Sequence, residues 1–488
     1  MDDTILVIDE GTTSTRAMLF APDGTCLATE QRELAQSFPR PGWVEHDAEE
    51  IWTSSLACAR AAVAAAGGAG QLAALGITNQ RETIVFWSRR TGRALAPAIV
   101  WQDRRTAALC ARLKAEGHED SVQAKTGLLL DPYFSASKIA WALEHWPQLR
   151  EARDDLCVGT VESWLLFKLT GGLHVSDATN ASRTALLDIA SGRWDEGLLA
   201  LWGVPAGALP EVIDCAGRFG ETLPEHFGSS IPIAGLAGDQ QAASIGQACL
   251  APGNSKATYG TGAFILTHTG AEQRRSRHRL LSTIAWQLAG ERRYALEGSV
   301  FVAGSLVKWL RDDLGLLASA AETEALARSV PDSGGVQIVP GHSGLGAPWW
   351  RPDARGAITG LSFATGRAHI ARAALEAMAH QTRDLMTAFA ADGAPWEVLK
   401  VDGGMASNGW LVQDLADMLG LTVERPGFVE TTALGAAMLA GVGCGMFASL
   451  EEAAAMRGAV ERFEPAMGAE VREARLTGWK KAVEGVLR

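Results

Sequence analysis

Ile5-Leu6-Val7-Ile8-Asp9-Glu10-Gly11-Thr12-Thr13-Ser14-Thr15-Arg16-Ala17-Met18-Leu19-Phe20 is the stretch that decides the fold. Two apolar runs of strand length flank a turn built from glycine, hydroxyl residues and one arginine. A Pro22-Asp23-Gly24 turn leads to a third strand near Cys26 to Thr29, which predicts a β-meander with a hydroxyl-rich first turn. The pattern returns far along the chain. Ser255-Lys256-Ala257-Thr258-Tyr259 reads as a strand, Gly260-Thr261-Gly262 as a tight turn, and Ala263 to Thr269 as the returning strand. The repetition predicts two related halves with a boundary near residues 246 to 254, and domains of 1–248 and 249–488 are expected.

Working outward, Leu75-Gly76-Ile77-Thr78 is a further strand. Residues 56 to 77 are mostly Ala and Gly with Arg60 and Gln71 among them, too weakly hydrophobic for a bilayer, and are read as a helix followed by a glycine-rich loop. After residue 360, Ile370, Ala374, Met378, Leu385 and Phe389 fall on one face of a long helix that stops at Asp392-Gly393. Leu399-Lys400-Val401-Asp402 is a strand running into Gly403-Gly404, and Leu411, Leu415, Met418 and Leu419 mark the next amphipathic helix. Strands alternating with helices, twice over, predict α/β architecture with a ligand cleft between domains.

Composition fits such a protein. A chain of 488 residues exceeds one ordinary core, so two domains of roughly 200 to 250 residues are expected. Hydrophobic residues at 47% and charged residues at 20% describe a globular enzyme. The net charge of −12 argues against nucleic acid as a partner. Seven scattered cysteines with no C-x-x-C spacing suggest neither a disulfide framework nor a zinc site, and fit a reducing cytoplasm. The start Met1-Asp2-Asp3 shows no basic n-region or apolar h-region, so no secretory signal and no membrane insertion are expected.

A turn of Gly, Thr and Ser offers backbone N–H groups and hydroxyls to phosphate oxygens, and Arg16 adds a charged fork at its end. One such turn is equally a hairpin with local hydroxyl-to-backbone bonds. Two, between strands of successive halves, favour an enclosed nucleotide. In Gly235-Leu236-Ala237-Gly238-Asp239-Gln240-Gln241-Ala242-Ala243, Asp239 stands before an alanine-rich segment and reads as a helix N-cap.

The chain resembles the FGGY family of carbohydrate kinases nearly end to end, and within it the glycerol kinases. Asp9 to Arg16 is similar to that family's first phosphate loop, Gly260-Thr261-Gly262 to its second, and Asp402-Gly403-Gly404 with Asn408 to its adenosine-binding turn. Its signatures are recognisable in Tyr133-Phe134-Ser135-Ala136-Ser137-Lys138-Ile139-Ala140-Trp141 and in Gly356-Ala357-Ile358-Thr359-Gly360-Leu361, continuing to Ala373-Ala374-Leu375-Glu376. The resemblance implies an actin-like ATPase fold, in which two ribonuclease-H-like domains close over ATP. It implies Asp239 as the general base, a role compatible with a helix terminus. It implies Arg81, Glu82, Trp101, Tyr133, Asp239, Gln240 and Phe264 around a small polyol, glycerol above all. Without it, Arg81-Glu82 reads as a surface ion pair, and Trp101 or Phe264 as ordinary core.

On the nucleotide side the resemblance implies Thr12, Thr13, Ser14 and Arg16 around the β- and γ-phosphates, Thr261 and Gly304 on the other flank, Lys308 at the edge, and Gly404 and Asn408 on the adenosine. It implies Mg²⁺ held largely through water, with Asp9 nearby. A homodimer or higher homo-oligomer is expected, closed dimers being the commonest assembly. Glu10 stands where the family usually has Gln, which predicts a negative charge beside the phosphates and weaker ATP binding. Pro224 to Ser230 occupies the place of a longer basic loop that binds fructose bisphosphate in some bacterial members, so that feedback is expected to be absent. The rival readings are a kinase of a longer polyol or ketose (erythritol, threitol, xylulose) and an actin-like ATP switch without an acceptor.

Overall fold

The computed structural model describes residues 3–342, 344–351 and 354–488, so the first two residues of the leader reading lie outside it. The strands Thr4–Glu10, Ser14–Phe20 and Cys26–Glu33 form the predicted meander, the third running beyond Thr29. They belong to a six-stranded sheet that continues with Leu72–Asn79 and Pro232–Gly238, both parallel to the first strand, and ends on the antiparallel edge Ala216–Glu221.

A seven-stranded sheet repeats this order. Asn254–Tyr259 takes the place of the first strand, Ala263–Gly270 and Glu291–Val300 complete a second meander, and Val398–Asp402 and Val423–Pro426 follow in parallel. Leu281–Leu288 and Val460–Phe463 add antiparallel edges. The internal repeat read in the two turns is therefore a repeat of whole sheets.

Helices cover the sheets. Ala48–Ala65 begins at Asp47, whose side chain accepts from the Glu49 N–H, and it ends before Gly67-Gly68. The 56–77 segment is thus helix and loop as read, but its last residues are the strand Leu72–Asn79. The long helix Arg367–Ala391 buries Ala374, Met378, Leu385 and Phe389 and stops at Asp392. Gly409–Leu419 buries Leu411, Leu415, Met418 and Leu419. A small sheet of Glu45–His46, Ala98–Ile99, Ile84–Ser88 and Leu156–Thr160 is inserted in the first half and carries Arg81, Glu82 and Trp101 in its connections. Among the described residues no helix is long and apolar enough to cross a membrane.

Of the helices not read in the sequence, one is central to the site. Thr431–Cys444 is apolar all round and lies against the first sheet, although it follows the strands of the second. It crosses the helix Asp239–Gly246 at backbone distance: a Cβ on Gly435 would stand 1.8 Å from the Ala242 carbonyl oxygen, and one on Gly246 2.0 Å from that of Thr431. Overpacking on this scale costs typically 1–3 kcal/mol or more. Gly435→Ala is expected to lower the midpoint of thermal unfolding by several degrees and to reduce activity with it. Gly70→Ala, where an added Cβ meets nothing within 4 Å, should change neither.

Candidate active site

Asp9 is the last residue but one of the first strand and faces Arg16 across the hairpin, in register. The loop between them closes with the Gly11 N–H donating to the Ser14 carbonyl at 3.0 Å. Arg16 donates to Gln31 Oε1 at 3.1 Å and pairs with Glu430 at the head of the Thr431–Cys444 helix. Desolvation pushes the Asp9 carboxyl up to about 7, against the pull of Arg16. Thr12 is joined to the opposite wall, its hydroxyl oxygen accepting from Trp101 Nε1 at 2.9 Å.

The second loop is latched to the helix Gly304–Asp312. The N–H groups of Ala303 and Ser305 donate to the Thr261 carbonyl at 2.9 and 3.1 Å, and that of Gly304 to the Gly260 carbonyl at 2.9 Å. A Cβ on Gly304 would come within 2.5 Å of that Gly260 oxygen, so glycine alone fits. Lys308 is exposed one turn along the same helix. In the third turn, Asp402 accepts from Gln247 Nε2 at 2.9 Å and from the Thr431 hydroxyl at 2.7 Å. Gly404 is open to solvent. Asn408 caps the helix Gly409–Leu419, accepting from the Leu411 N–H at 3.0 Å and donating to the Thr323 hydroxyl at 3.1 Å. Its amide is thereby committed to shaping the turn.

The polar residues of the polyol set converge. Arg81 Nε lies 3.1 Å from Asp239 Oδ1, its Nη1 donates to Glu297 at 2.7 Å and to Gln241 at 3.2 Å, and its Nη2 reaches the Tyr133 hydroxyl at 3.4 Å. Glu82 accepts from Arg183 Nε at 2.7 Å and holds a backbone φ of 61°, a left-handed conformation that bulky residues rarely adopt. Trp101 meets Tyr133 and Phe264 edge-on, with ring centroids 5.7 and 6.3 Å apart. Gln240 accepts from the buried ammonium of Lys256, which also donates to the Thr258 hydroxyl at 2.9 Å. Desolvation lowers the pKa of that ammonium.

Three readings are corrected. Arg81 and Glu82 are 2% and 1% exposed, so they are no surface pair. Trp101 and Phe264 are only half-buried, not core. Asp239 is the first residue of its helix, and Gly238 holds the N-cap position. The Asp239 oxygen accepts instead from the adjacent Gln240 N–H at 2.6 Å, and its side chain stays one-third exposed. The Gly238 N–H is fixed from behind by the Thr179 hydroxyl at 2.9 Å.

Sequence reasoning missed Arg183, Glu297, Lys256 and Gln241. A signal existed for one of them: Glu297 is the one charged residue in the buried run from Tyr294 to Val300, whereas Lys256 sits in a strand of mixed polarity. Arg183 sits in an irregular turn and offers no pattern.

With this geometry in view, similarity to known proteins is specific. Residues 4–246 match the N-terminal domain of the FGGY family of carbohydrate kinases, and residues 255–444 match its C-terminal domain. The chain belongs to this family. A glycerol kinase of Rhodospirillum rubrum is 56% identical over 487 residues, 99% of this chain and 98% of that one. A glycerol kinase of Methylobacterium nodulans is likewise 56% identical, over 99% and 98% of the two chains. Among solved structures, Plasmodium falciparum glycerol kinase with ADP superimposes with a TM-score of 0.94 at 36% identity, covering 100% of this chain and 98% of that chain. A xylulose kinase from Rhodospirillum rubrum gives 0.88 at 26% identity, covering 99% and 98%.

The charge expected at Glu10 does not face the phosphate loop. Glu10 is 0% exposed, accepts from the Ser55 hydroxyl at 2.6 Å, and is pushed up from 4.5 to about 8, chiefly by desolvation. A carboxyl with a raised folded-state pKa supports the fold fully below its unfolded value and loses that support as pH rises through the folded value. In Glu10→Gln, the gain in thermal midpoint over the parent should therefore grow from pH 5 to pH 8 and level off above. The KM for ATP should stay within about two-fold. A midpoint difference that is flat with pH would show Glu10 to be ionised in the fold.

Proposed function

We propose that this protein transfers the γ-phosphoryl group of ATP to a terminal hydroxyl of glycerol, giving ADP and sn-glycerol 3-phosphate. The observation that carries the reading is the Trp101–Thr12 hydrogen bond of 2.9 Å, which ties the wall of the polyol set to the phosphate loop beside Asp239. The identity with glycerol kinases over nearly the whole chain supports glycerol over longer polyols. So does the set of edge-on aromatic rings of Trp101, Tyr133 and Phe264, which suits a short carbon chain.

In this reading Arg81, Glu82, Tyr133, Asp239 and Gln240 bond the hydroxyls, while Trp101 and Phe264 pack on the carbon chain. Because Lys256 occupies the Gln240 oxygen, the Gln240 amide presents its N–H₂ to the substrate as a donor. Asp239 orients the attacking hydroxyl and accepts its proton late, as the bond from γ-phosphorus to the bridging oxygen breaks and ADP leaves. Thr12, Thr13, Ser14 and Arg16 cradle the β- and γ-phosphates, with Thr261 and Gly304 opposite. Lys308 lies at the nucleotide edge. Gly404 gives the adenosine open backbone, and Asn408 holds the shape of that turn.

Mg²⁺ supplies neutralisation of the phosphate charge. Asp9 fits it as a single carboxylate whose ionisation burial opposes and a cation would restore. Among the described residues no group of three or more His, Cys, Asp or Glu converges, so a bound ion would be held by Asp9 together with the nucleotide and water. The two lobes, residues 1–248 and 249–488, close over both substrates, and the protein works in the cytoplasm as a homodimer or larger homo-oligomer.

The test is ADP release in a coupled assay with Mg-ATP, comparing glycerol, erythritol, threitol, xylitol, xylulose and no acceptor. Glycerol should give the highest kcat/KM, and Asp239→Asn should lose about 10²- to 10⁴-fold in kcat. A longer acceptor in first place would overturn the substrate assignment, and ATP turnover indifferent to every acceptor would overturn the kinase reading.

A further inference from the structure

Four charged side chains, each at most 2% exposed, close a ring behind the polyol set. Arg81 Nη1 donates to one oxygen of Glu297 at 2.7 Å, and Arg183 Nη2 donates to the other at 2.9 Å. Arg183 Nε donates to Glu82 Oε1 at 2.7 Å, and that oxygen lies 4.0 Å from Arg81 Nε. Two positive and two negative groups thus balance in a space that water does not enter. The Arg183 guanidinium also lies over the rings of Tyr133 and Phe134, 5.8 and 5.4 Å from their centroids.

We propose that Glu297 and Arg183 are positioning residues for acceptor recognition: they fix Arg81, Glu82 and Tyr133 in their binding geometry without touching the acceptor themselves. The inference rests on the reading that those three residues bind the polyol. Arg81 offers a fork of donors on a long, flexible stem, and the Glu297 carboxylate that bridges its Nη1 to Arg183 anchors that fork from behind, with Nε toward Asp239 and Nη2 toward Tyr133. Glu82 sits on a strained backbone, so its side chain needs an outside partner to stay in place, and Arg183 is that partner.

The origin of Glu297 adds a consequence. It comes from the strand Glu291–Val300 of the second sheet, whereas Arg81, Glu82 and Arg183 come from the first half. The acceptor site is therefore complete only when the second lobe is seated on the first. A change in lobe placement reaches Arg81 and Arg183 through this carboxylate, with no contact to the nucleotide loops required.

Glu297→Gln keeps the shape and removes the charge, and is expected to raise the KM for the acceptor at least ten-fold while the KM for Mg-ATP stays within about two-fold. Because it leaves two buried guanidinium groups facing one carboxylate, it risks the fold. Arg183→Lys keeps the charge balance and loses only the two-pronged fork, and should show the same split at a smaller size, near three- to five-fold, with a thermal midpoint close to the parent's. Acceptor affinity is also read by calorimetry, without turnover, using the polyol that the parent protein prefers. An unchanged acceptor affinity in folded Arg183→Lys would overturn the proposal, as would an equal rise in both KM values. Those results concern the variants, whereas failure of the glycerol reading appears in the parent protein's own acceptor preference.

Discussion

The helix Thr431–Cys444 is laid so closely on the first sheet and on the helix Asp239–Gly246 that backbone touches backbone, and the cleft is indexed to that contact. Small residues make it possible: a Cβ on Gly235 would stand 2.3 Å from the Ala440 nitrogen, and the Gly435 position admits no Cβ at all. The head of this helix then meets three of the site's four parts. Glu430 takes Arg16 of the first loop, Thr431 donates to Asp402 of the third, and the crossing with Asp239–Gly246 sets the height of Asp239. Packed interiors transmit displacement because they have little free volume. One helix from the second half thereby holds the phosphate loop of the first, the nucleotide turn of the second and the candidate base in one frame.

Burying charge is tolerated only when partners and geometry are supplied together, since an unpaired ion in the interior costs several kcal/mol. The cluster of Arg81, Glu82, Arg183 and Glu297 meets that condition with each carboxylate engaged by at least one guanidinium. Asp239 is arranged differently. It receives the Arg81 Nε side of the cluster but remains partly open to the cleft, where a hydroxyl can approach. A neutral, closed set of charges behind and one accessible carboxylate in front is a suitable arrangement for orienting an uncharged polyol beside a charged nucleotide. The dipoles are fixed before the substrate arrives, so little reorganisation accompanies reaction.

The parts of this protein that were legible in its sequence are those that repeat a local rule. Strand–turn–strand patterns gave the first meander and the hairpin that opens the second, one-face periodicity gave Arg367–Ala391 and Gly409–Leu419, and motif resemblance gathered the polyol set from separated positions. Thr431–Cys444 escaped because a helix buried on every side has no polar stripe, hence no period to detect. Arg183 and Glu297 escaped because their meaning lies in each other: 114 residues separate them, and neither belongs to a local motif. The surface reading of Arg81-Glu82 failed for the same reason, since an adjacent Arg and Glu look like a solvated pair until buried partners for both are known.

Glu10 shows how finely the strand period divides two neighbouring carboxyls. Side chains alternate along a strand, so Asp9 and Glu10 must leave the sheet on opposite faces. The facing strand obeys the same alternation: Arg16 stands opposite Asp9 on the cleft side, and Thr15 stands opposite Glu10 on the helix side. There Thr15 and Glu10 both meet Ser55 of the helix Ala48–Ala65, at 3.0 and 2.6 Å. A protonated Glu has nearly the shape of Gln and likewise one face that donates and one that accepts. Burial that keeps Glu10 protonated therefore lets it occupy a glutamine's place in the core while Asp9, one residue away, keeps its approach to the phosphates. The replacement changes what the pH profile of stability records, and it leaves the electrostatics of the loop to Asp9, Arg16 and Glu430.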